Sequence, residues 1–270
     1  MEPSAVKEPA RRETRDPVAR AFAVLLWMVD APGMSWGLRE IATGVAMHPS
    51  TLYRVLSHLQ AGGLIQQDSE TGRYSLGLGF LRLAWKAADH HSVREVALPG
   101  LKGLVDATGE TALLALYDPS RQEMMLAATV DSPHPIRQIR QIAEWLPVTA
   151  GATGLAILAF LPEAEQRTIL ARPLPALTPQ TTTNRAMLEQ ALARVRAQEY
   201  ALTRGERTPG AVGIGAPIFG PAGRVIGSVG ITLPEQRFQP ASASQQAECV
   251  IGAARTIAEQ LGGSAHRTTR

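Results

Sequence analysis

The chain has 270 residues, a net charge of +3 and a hydrophobic content of 45%. This length favours two domains, each able to bury a core of its own. The sequence contains no apolar run of 18 residues, which argues against a membrane-spanning helix. A single cysteine, Cys249, excludes an intramolecular disulfide and a cysteine-rich metal site. We therefore expect a cytoplasmic protein without a metal or a cofactor.

The chain begins with residues that combine charge and proline but contain no hydrophobic segment of the signal-peptide type. We expect residues 1–16 to form a disordered, cytoplasmic leader. An apolar stretch over residues 18–29 follows, with Asp16 and Pro17 in the positions of a helix cap and first turn. This stretch is predicted to be the scaffold helix of the first domain.

Residues 36–79 have the order of a winged helix-turn-helix. Leu38, Ile41 and Ala42 form one apolar helix face, and Gly44 stands where that helix must stop and reverse. A second helix begins near His48 and carries its own apolar stripe with helical spacing. Residues 64–67 and 72–76 then read as the two strands of a wing. The alternative is a helical hairpin followed by a β-hairpin inside some other α+β domain.

The exposed face of the second predicted helix carries hydrogen-bonding side chains and no carboxylate. Such a face suits the major groove, because base edges present donors and acceptors and phosphates repel carboxylates. An arginine on the wing would contact the DNA backbone or the minor groove. The predicted DNA-binding residues are Arg39, Ser50, Thr51, Tyr53, Arg54, Ser57, His58 and Arg73.

Charge adds little to the DNA-binding prediction. Over residues 36–76, three arginines balance three carboxylates. A strongly basic patch would have indicated nucleic-acid binding by itself. The prediction therefore rests on the pattern of helices, turn and hairpin.

A further helix is predicted over residues 78–93, directly after the wing. Leu81, Ala84, Trp85 and Ala88 would share one face of it. We interpret this helix as the connector between domains and its apolar face as a dimer contact. Packing of the same face within its own domain is the alternative.

The remainder of the chain predicts an antiparallel sheet with helices packed on it, so the fold class is α+β. A helix ends near Thr108, and small residues over 149–154 lead into another. Strands are predicted over residues 111–117, 124–130, 136–142, 212–219 and 224–232, and later helices over 155–161, 162–170, 184–198 and 241–261.

Two arginines in the predicted strand over residues 136–142 could pair with a ligand carboxylate. Arg137 and Arg140 are three positions apart, so a strand would direct them to opposite faces, and at most one would contact the ligand. The alternative, that both are solvated surface arginines, is favoured.

Four motifs in this order identify the chain as similar to the IclR family of bacterial transcription regulators, over about residues 17–262. The motifs are LREIATGVAMHPSTLYRVLSHLQAGGLI, RYSLGLGFLRLA, LPVTAGATGLAILAFLP and RGERTPGAVGIGAPIFGPAGRVIGSVGIT. The resemblance implies a winged helix-turn-helix over residues 17–79, a linker helix over 80–94, a GAF-like effector domain over 95–262 and a flexible tail over 263–270. It also implies homodimers, or dimers of dimers, on an inverted-repeat operator in double-stranded DNA.

The resemblance further implies an effector site between the small-residue loop and the last hairpin. The residues at the matching positions are Leu146, Ala152, Thr153, Gly154, Thr203, Ala211, Gly213, Gly230 and Thr232. Several are Gly or Ala where larger side chains are common, which predicts a roomy cavity, although the glycines could instead serve turns and tight strand packing. The implied effector is a small organic molecule, a carboxylic or aromatic acid.

The sequence thus predicts a ligand-responsive transcription regulator, a repressor rather than an activator. An enzyme is the second class, but HExxH, GxSxG and the phosphate-binding GxxxxGK[ST] are all absent from the sequence. The third class is an architectural or effector-independent repressor whose second domain serves only for oligomerisation. The small-residue loop argues against that class.

Overall fold

The computed structural model describes residues 16–90 and 93–263, and the chain divides into two compact units after His91. The predicted leader and tail therefore fall, except for Asp16 and Gly263, outside the described residues. Within the described residues, no helix is both long enough and apolar enough to cross a membrane.

The described part of the N-terminal unit contains four helices and a two-stranded wing. Its elements are α1 (Pro17–Asp30), α2 (Leu38–Gly44), α3 (Pro49–Ala61), β1 (Ile65–Gln67), β2 (Tyr74–Leu76) and α4 (Leu78–His90). The core combines Val24 and Met28 of α1 with Ile41 of α2 and Leu52 and Leu56 of α3, all almost fully buried. The 3.6-residue spacing of these side chains is why the three helices form and pack as they do.

Side chains cap the two longer helices of this unit at their N-termini. Asp16 accepts a hydrogen bond from the backbone N–H of Val18 at 2.9 Å, and His48 caps α3 through its Nδ1 atom. Pro17 and Pro49 occupy first-turn positions, where the missing N–H of proline leaves no helical bond unmade. The predicted starts of both helices agree with these caps.

Trp36 connects the wing to the helices by hydrogen bonds and ring packing. Its backbone exchanges two hydrogen bonds of 2.8 Å with Tyr74, which adds a one-residue bridge beside β2. The Trp36 indole is buried and meets Trp27 of α1 edge to face, with ring centroids 5.9 Å apart. The wing therefore keeps a defined orientation relative to α1.

The C-terminal unit contains one six-stranded antiparallel sheet. Its elements are α5 (Val93–Thr108), β3 (Thr111–Asp118), β4 (Glu123–Val130), β5 (Trp145–Pro147), α6 (Ala152–Leu158), α7 (Glu163–Leu170), α8 (Arg185–Gln198), β6 (Ala201–Arg204), β7 (Ala211–Phe219), β8 (Val225–Pro234) and α9 (Ala243–Gln260). The strand order is β5-β4-β3-β8-β7-β6. The predicted α+β class, with an antiparallel sheet and flanking helices, is confirmed.

Helices cover both faces of this sheet and bury two apolar clusters. Helices α5 and α9 contribute Leu101, Leu104, Val250 and Ile257 to the cluster on one face. Helices α6, α7 and α8 contribute to the other cluster, which includes Leu192. The long strands β7 and β8 are buried along most of their length, because they lie in the middle of the sandwich.

The predicted strand over residues 136–142 is wrong. Ile136, Ile139 and Ile142 are exposed and form no ladder, and the nearest strand is β5 (Trp145–Pro147). Apolar residues here recur every third position, which does not keep one face of a strand buried. The strand β6 was not predicted. It has only four residues and lies at the edge of the sheet, so its alternation of apolar and polar residues is too short to indicate a strand.

The segment that replaces this predicted strand, residues 131–144, is held at several points along its length. The backbone carbonyl of Ile136 accepts a 2.9 Å hydrogen bond from Nη1 of Arg237. Arg237 itself forms a bidentate ion pair with the buried Glu110. The backbone N–H of Ala143 donates to the carbonyl of Leu126 on β4 at 2.7 Å. The segment is therefore irregular but anchored.

The helix predicted after the wing is α4, which begins at Leu78 and is described up to His90. Two of the residues predicted on its apolar face, Leu81 and Ala84, are exposed. The side chains of Trp85 and Ala88 lie outside the described part. Leu81 and Ala84 are therefore not part of the buried core of the N-terminal unit.

Gly44 allows the tight contact between α2 and α1. A Cβ atom at Gly44 would overlap the indole ring of Trp27, and that ring is held by its contact with Trp36. We expect Gly44→Ala to lower the unfolding free energy by about 1–3 kcal/mol through overpacking, measured by thermal unfolding of the full chain with tryptophan emission. Gly62→Ala is the control, because its Cβ would meet only ordinary contacts. Equal melting curves for the two variants would contradict the packing role of Gly44.

Candidate functional site

The first candidate site is the exposed face of α3. This helix buries Leu52, Val55, Leu56 and Leu59 and turns its other face to solvent. Of the predicted DNA-binding residues, those exposed are Arg39, Ser50, Tyr53, Arg54, Ser57 and His58, with Thr51 half-buried. One face of α3 therefore packs in the core, and the opposite face is accessible to a binding partner.

Two hydroxyl groups on this face already have partners in the helix. Ser57 donates to the backbone carbonyl of Tyr53 at 2.9 Å, and Ser50 shares a 2.8 Å hydrogen bond with Nδ1 of His48. Arg54 and Tyr53 extend from the middle of the helix into solvent. These two long side chains have the greatest reach from α3.

Arg73 on the wing is engaged within the protein. Its guanidinium donates to the carbonyl of Ser35 at 2.7 Å and to Glu40 at 2.9 Å. Glu40 also accepts a 2.6 Å hydrogen bond from the backbone N–H of Gly37 at the start of α2. Arg73 thus joins the wing to α2, and any contact with DNA would use the part of the guanidinium that remains exposed.

The second candidate site is a cavity of about 310 Å³ in the C-terminal unit. This volume lies at the small end of the range found for small-molecule sites. The predicted residues on its wall are Leu146, Ala152, Thr153, Thr203, Ala211, Gly213 and Thr232. The sheet adds apolar side chains to the wall, which are Leu113, Met124, Leu126, Val212 and Ile231.

Gly154 and Gly230, also predicted at this site, are not on the cavity wall. A Cβ at Gly154 would lie 2.8 Å from the carbonyl oxygen of Val148 and 2.9 Å from Nη2 of Arg207. A Cβ at Gly230 would overlap the carbonyl oxygen of Ile214 on the neighbouring strand. Both glycines therefore serve close packing, which is the alternative left open by the sequence.

Four charged residues on the wall, Arg140, Glu144, Glu206 and Arg207, were not assigned from the sequence. Arg140, interpreted as a solvated arginine, instead donates to Thr208 at 2.5 Å and to Thr232 at 3.5 Å across the cavity. Glu206 and Arg207 lie in the loop between β6 and β7, which reads in sequence as an ordinary turn. Arg137, by contrast, pairs with Asp131 at 3.4 Å and is exposed.

Hydrogen bonds from a threonine pair position the loop that carries Glu206 and Arg207. Thr178 donates to the carbonyl of Gly205 at 2.7 Å, and Thr181 donates to the carbonyl of Glu206 at 2.6 Å. The N–H of Gly205 closes the loop by donating to the carbonyl of Ala211 at 2.7 Å. These contacts hold the loop against the cavity although it has no regular structure.

Burial perturbs the ionisation of Arg140, Arg207 and Glu206. It lowers the pKa of Arg140, and together with the neighbouring Arg140 charge it lowers the pKa of Arg207 to about 10. Burial also raises the pKa of Glu206, against the opposing effects of the Gly151 N–H and the Arg207 charge. Each arginine remains charged at neutral pH, so the cavity presents two cations in an apolar setting.

This chemistry suits binding of an anion. Guanidinium groups form short, charge-assisted hydrogen bonds with carboxylates. Among the described residues, no cluster of three or more His, Cys, Asp or Glu side chains is arranged to hold a metal ion. Together, a winged helix-turn-helix and a sheet domain with a cavity suited to an anionic ligand define the chain as a DNA-binding regulator.

Comparison with known proteins places this regulator in a family. The model of the IclR helix-turn-helix domain matches residues 17–69, and that of the bacterial transcriptional regulator IclR C-terminal domain matches residues 85–259. The chain belongs to the IclR family of bacterial transcriptional regulators. Like its relatives, it is a regulator rather than an enzyme.

Individual relatives cover nearly the whole chain. The glycerol operon regulatory protein of Streptomyces griseus is 31% identical and aligns with 84% of this chain and 89% of its own length. The transcriptional repressor AllR of Escherichia coli is 27% identical, with coverages of 96% and 95%. The solved structure of an IclR homologue from Microbacterium hydrocarbonoxydans, complexed with 4-hydroxybenzoate, is 25% identical with a TM-score of 0.80, covering 92% of this chain and 99% of that one.

The raised pKa of Glu206 makes a prediction about stability. Folding disfavours the charged form, so the contribution of Glu206 is most favourable below its unfolded pKa and is lost as the pH rises through its folded pKa. We expect Glu206→Gln to gain stability relative to the native chain as the pH rises from about 4 to 7, measured by thermal melting at each pH. The exposed Glu163→Gln is the control. Parallel melting profiles for Glu206→Gln and the native chain would refute the expectation.

Proposed function

We propose that this regulator is a ligand-responsive repressor that binds an inverted-repeat operator and releases it when a small organic acid enters the cavity. The observation that carries the proposal is the cavity with Arg140 and Arg207 in its wall. A domain used only for oligomerisation has no need of two half-buried guanidinium groups without ion pairs, which are costly to desolvate. The cavity therefore favours an effector-binding function over a purely architectural one.

The chemistry of relatives supports the same proposal. AllR is named a repressor, and the Microbacterium homologue was solved with a small aromatic acid. The cavity of this chain combines apolar walls with cationic groups, which is what an aromatic or branched carboxylic acid requires. We propose the predicted wall residues, with Arg140 and Arg207 added, as the effector site.

DNA binding is proposed to use α3 in the major groove and the wing beside it. Tyr53 and Arg54 would reach base edges or phosphates, with Arg39, Ser50, Thr51, Ser57, His58 and Arg73 around them. A two-fold symmetric dimer would place two copies of α3 about 34 Å apart, in successive major grooves. The exposed apolar residues Val18, Phe22, Leu26 and Val29 share one side of α1 and support contact with a second copy.

The proposed domains follow the predicted boundaries, with DNA binding in residues 17–79, a linker helix in 80–94 and effector binding in 95–262. Coupling between the two sites is reciprocal: an effector that weakens operator binding by some factor must itself bind more weakly to the operator complex by the same factor. Release therefore requires the effector to prefer the form of the protein that binds DNA poorly.

Operator binding by the full chain tests the first half of the proposal. We expect the DNA upstream of its own gene to bind about a thousandfold or more tighter than a scrambled duplex at fixed, near-physiological salt, measured by fluorescence anisotropy. Arg54→Ala should weaken this binding about tenfold or more through loss of a groove contact. The matched control, Arg224→Ala, removes an exposed arginine from the C-terminal unit. Equal losses for both variants would remove Arg54 from the interface.

Filling the cavity tests the second half. Leu146 is half-buried on the edge strand β5, so Leu146→Trp can place its ring in the cavity without disturbing the core of the sheet. We expect this variant to keep its effector-free operator affinity and to lose the DNA release caused by organic acids, with 4-hydroxybenzoate as the first probe. The anisotropy assay measures both quantities. Full release in Leu146→Trp would place the effector elsewhere.

A further inference from the structure

The two arginines in the cavity wall have no carboxylate partner. Among the described residues, ion pairs form within 4.0 Å elsewhere, as for Arg137 with Asp131 and Arg237 with Glu110, but neither Arg140 nor Arg207 has such a pair. Arg140 is hydrogen-bonded only to neutral threonine hydroxyls. Two like charges therefore lie on one cavity wall without an ion pair from the protein.

Arg207 also keeps a buried donor without an acceptor. Its Nη2 atom donates to the carbonyl oxygens of Pro147, at 3.0 Å, and Ala150. Its Nη1 atom is buried and has no hydrogen-bond partner within the described protein. Such atoms are rare in folded proteins, because an unmade hydrogen bond of a charged group is costly. Part of the Arg207 guanidinium therefore has no hydrogen-bond partner in the described protein.

The position of Arg207 is built into the fold. Its side chain crosses the turn before α6, where a Cβ at Gly151 would lie 2.6 Å from Nε. The absence of side chains at Gly151 and Gly154 makes room for the guanidinium. The side chain is thus held against the cavity by the turn and by two backbone carbonyls, rather than extending freely into solvent.

The carboxylates on the cavity wall form no ion pair with the arginines. The charges of Glu144 and Glu206 oppose the lowering of the Arg207 pKa, and that of Glu144 opposes the lowering of the Arg140 pKa. Neither carboxylate lies within 4.0 Å of either guanidinium. A ligand with a single carboxylate can form an ion pair with one arginine and leaves the other without one.

We propose that the effector is a dicarboxylate with a short apolar body, one carboxylate binding Arg140 and the other binding Arg207. This inference rests on the proposed function and names the class of acid that the same cavity selects. The apolar walls from Leu113, Met124 and Ile231 cover the body of the diacid. Arg140 and Arg207 are then the residues that distinguish diacids from monoacids.

Isothermal titration of the full-length protein tests the inference with matched pairs of probes. The diacids are succinate, adipate, isophthalate and terephthalate, and each is compared with its own monomethyl ester, which has the same skeleton and one charge fewer. We expect at least one diacid to bind tenfold or more tighter than its monoester, because a second charge-assisted contact is made. Its binding should also release operator DNA.

Variants of the arginines test which residue binds the second carboxylate of the diacid. Arg140→Gln should weaken binding of that diacid tenfold or more and change monoester binding by less than about threefold, so that the two affinities converge. Arg137→Gln is the matched control, since it removes an arginine three positions away that pairs with Asp131. Arg207→Lys keeps a positive charge at this position, whereas Arg207→Gln removes it. Thermal melting of each variant establishes that the variant is folded.

Each result has a definite meaning. Equal affinity for diacid and monoester, no binding of any of the four diacids at millimolar concentration, or equal losses in Arg140→Gln and Arg137→Gln would overturn the dicarboxylate assignment. Release of operator DNA by monoacids alone would overturn it too, while leaving the proposed function intact. Specific operator binding that no acid alters would instead refute the proposed effector response itself.

Discussion

The close approach of α6 to the strands β7 and β8 determines the geometry of the C-terminal unit. Glycines make it possible: a Cβ at Gly215 would lie 2.8 Å from the backbone of Ala152, and a Cβ at Gly213 would lie 3.2 Å from the Ala152 side chain. The hydroxyl of Ser228 on β8 then donates to the carbonyl of Thr153 at 2.9 Å. Because the helix is held this close to the sheet, the turn before it becomes one wall of the cavity, and Arg207 has a defined place across it.

The cavity contains charged groups without ion pairs, which lower the stability of the C-terminal unit. Elsewhere, buried charge is paired, as in the bidentate contact of Arg237 with Glu110, which also anchors the backbone at Ile136. The same segment carries Arg140 to the cavity, where its partners are neutral hydroxyls. An unneutralised buried cation destabilises the protein alone and is stabilised by an anionic ligand. The difference in stability between the ligand-free and the ligand-bound protein is a free energy that a sensor can use to favour one form of the protein over another.

The DNA-binding unit depends on shape more than on charge. Its three arginines are balanced by three carboxylates over residues 36–76, and one of them, Arg73, is paired with Glu40 in the structure. The wing and α2 are therefore joined by an ion pair at the surface that DNA would approach. The proposed recognition of DNA would therefore depend on contacts from α3 to base edges more than on a general attraction to phosphate.

The sequence by itself determined the fold class, the family and the order of most elements, because these depend on local patterns. Examples are the apolar stripe of α3 around Leu52 and Leu56, the caps at Asp16 and His48, and the turn at Gly44. Tertiary structure alone decided the charges of the cavity. Arg140 reads as solvated and Arg207 as part of a turn, yet contacts with residues about 60 or more positions away, Thr208 for Arg140 and Pro147 for Arg207, bring both to one cavity. Burial and pairing of a charge depend on which distant segments meet, and no local pattern carries that information.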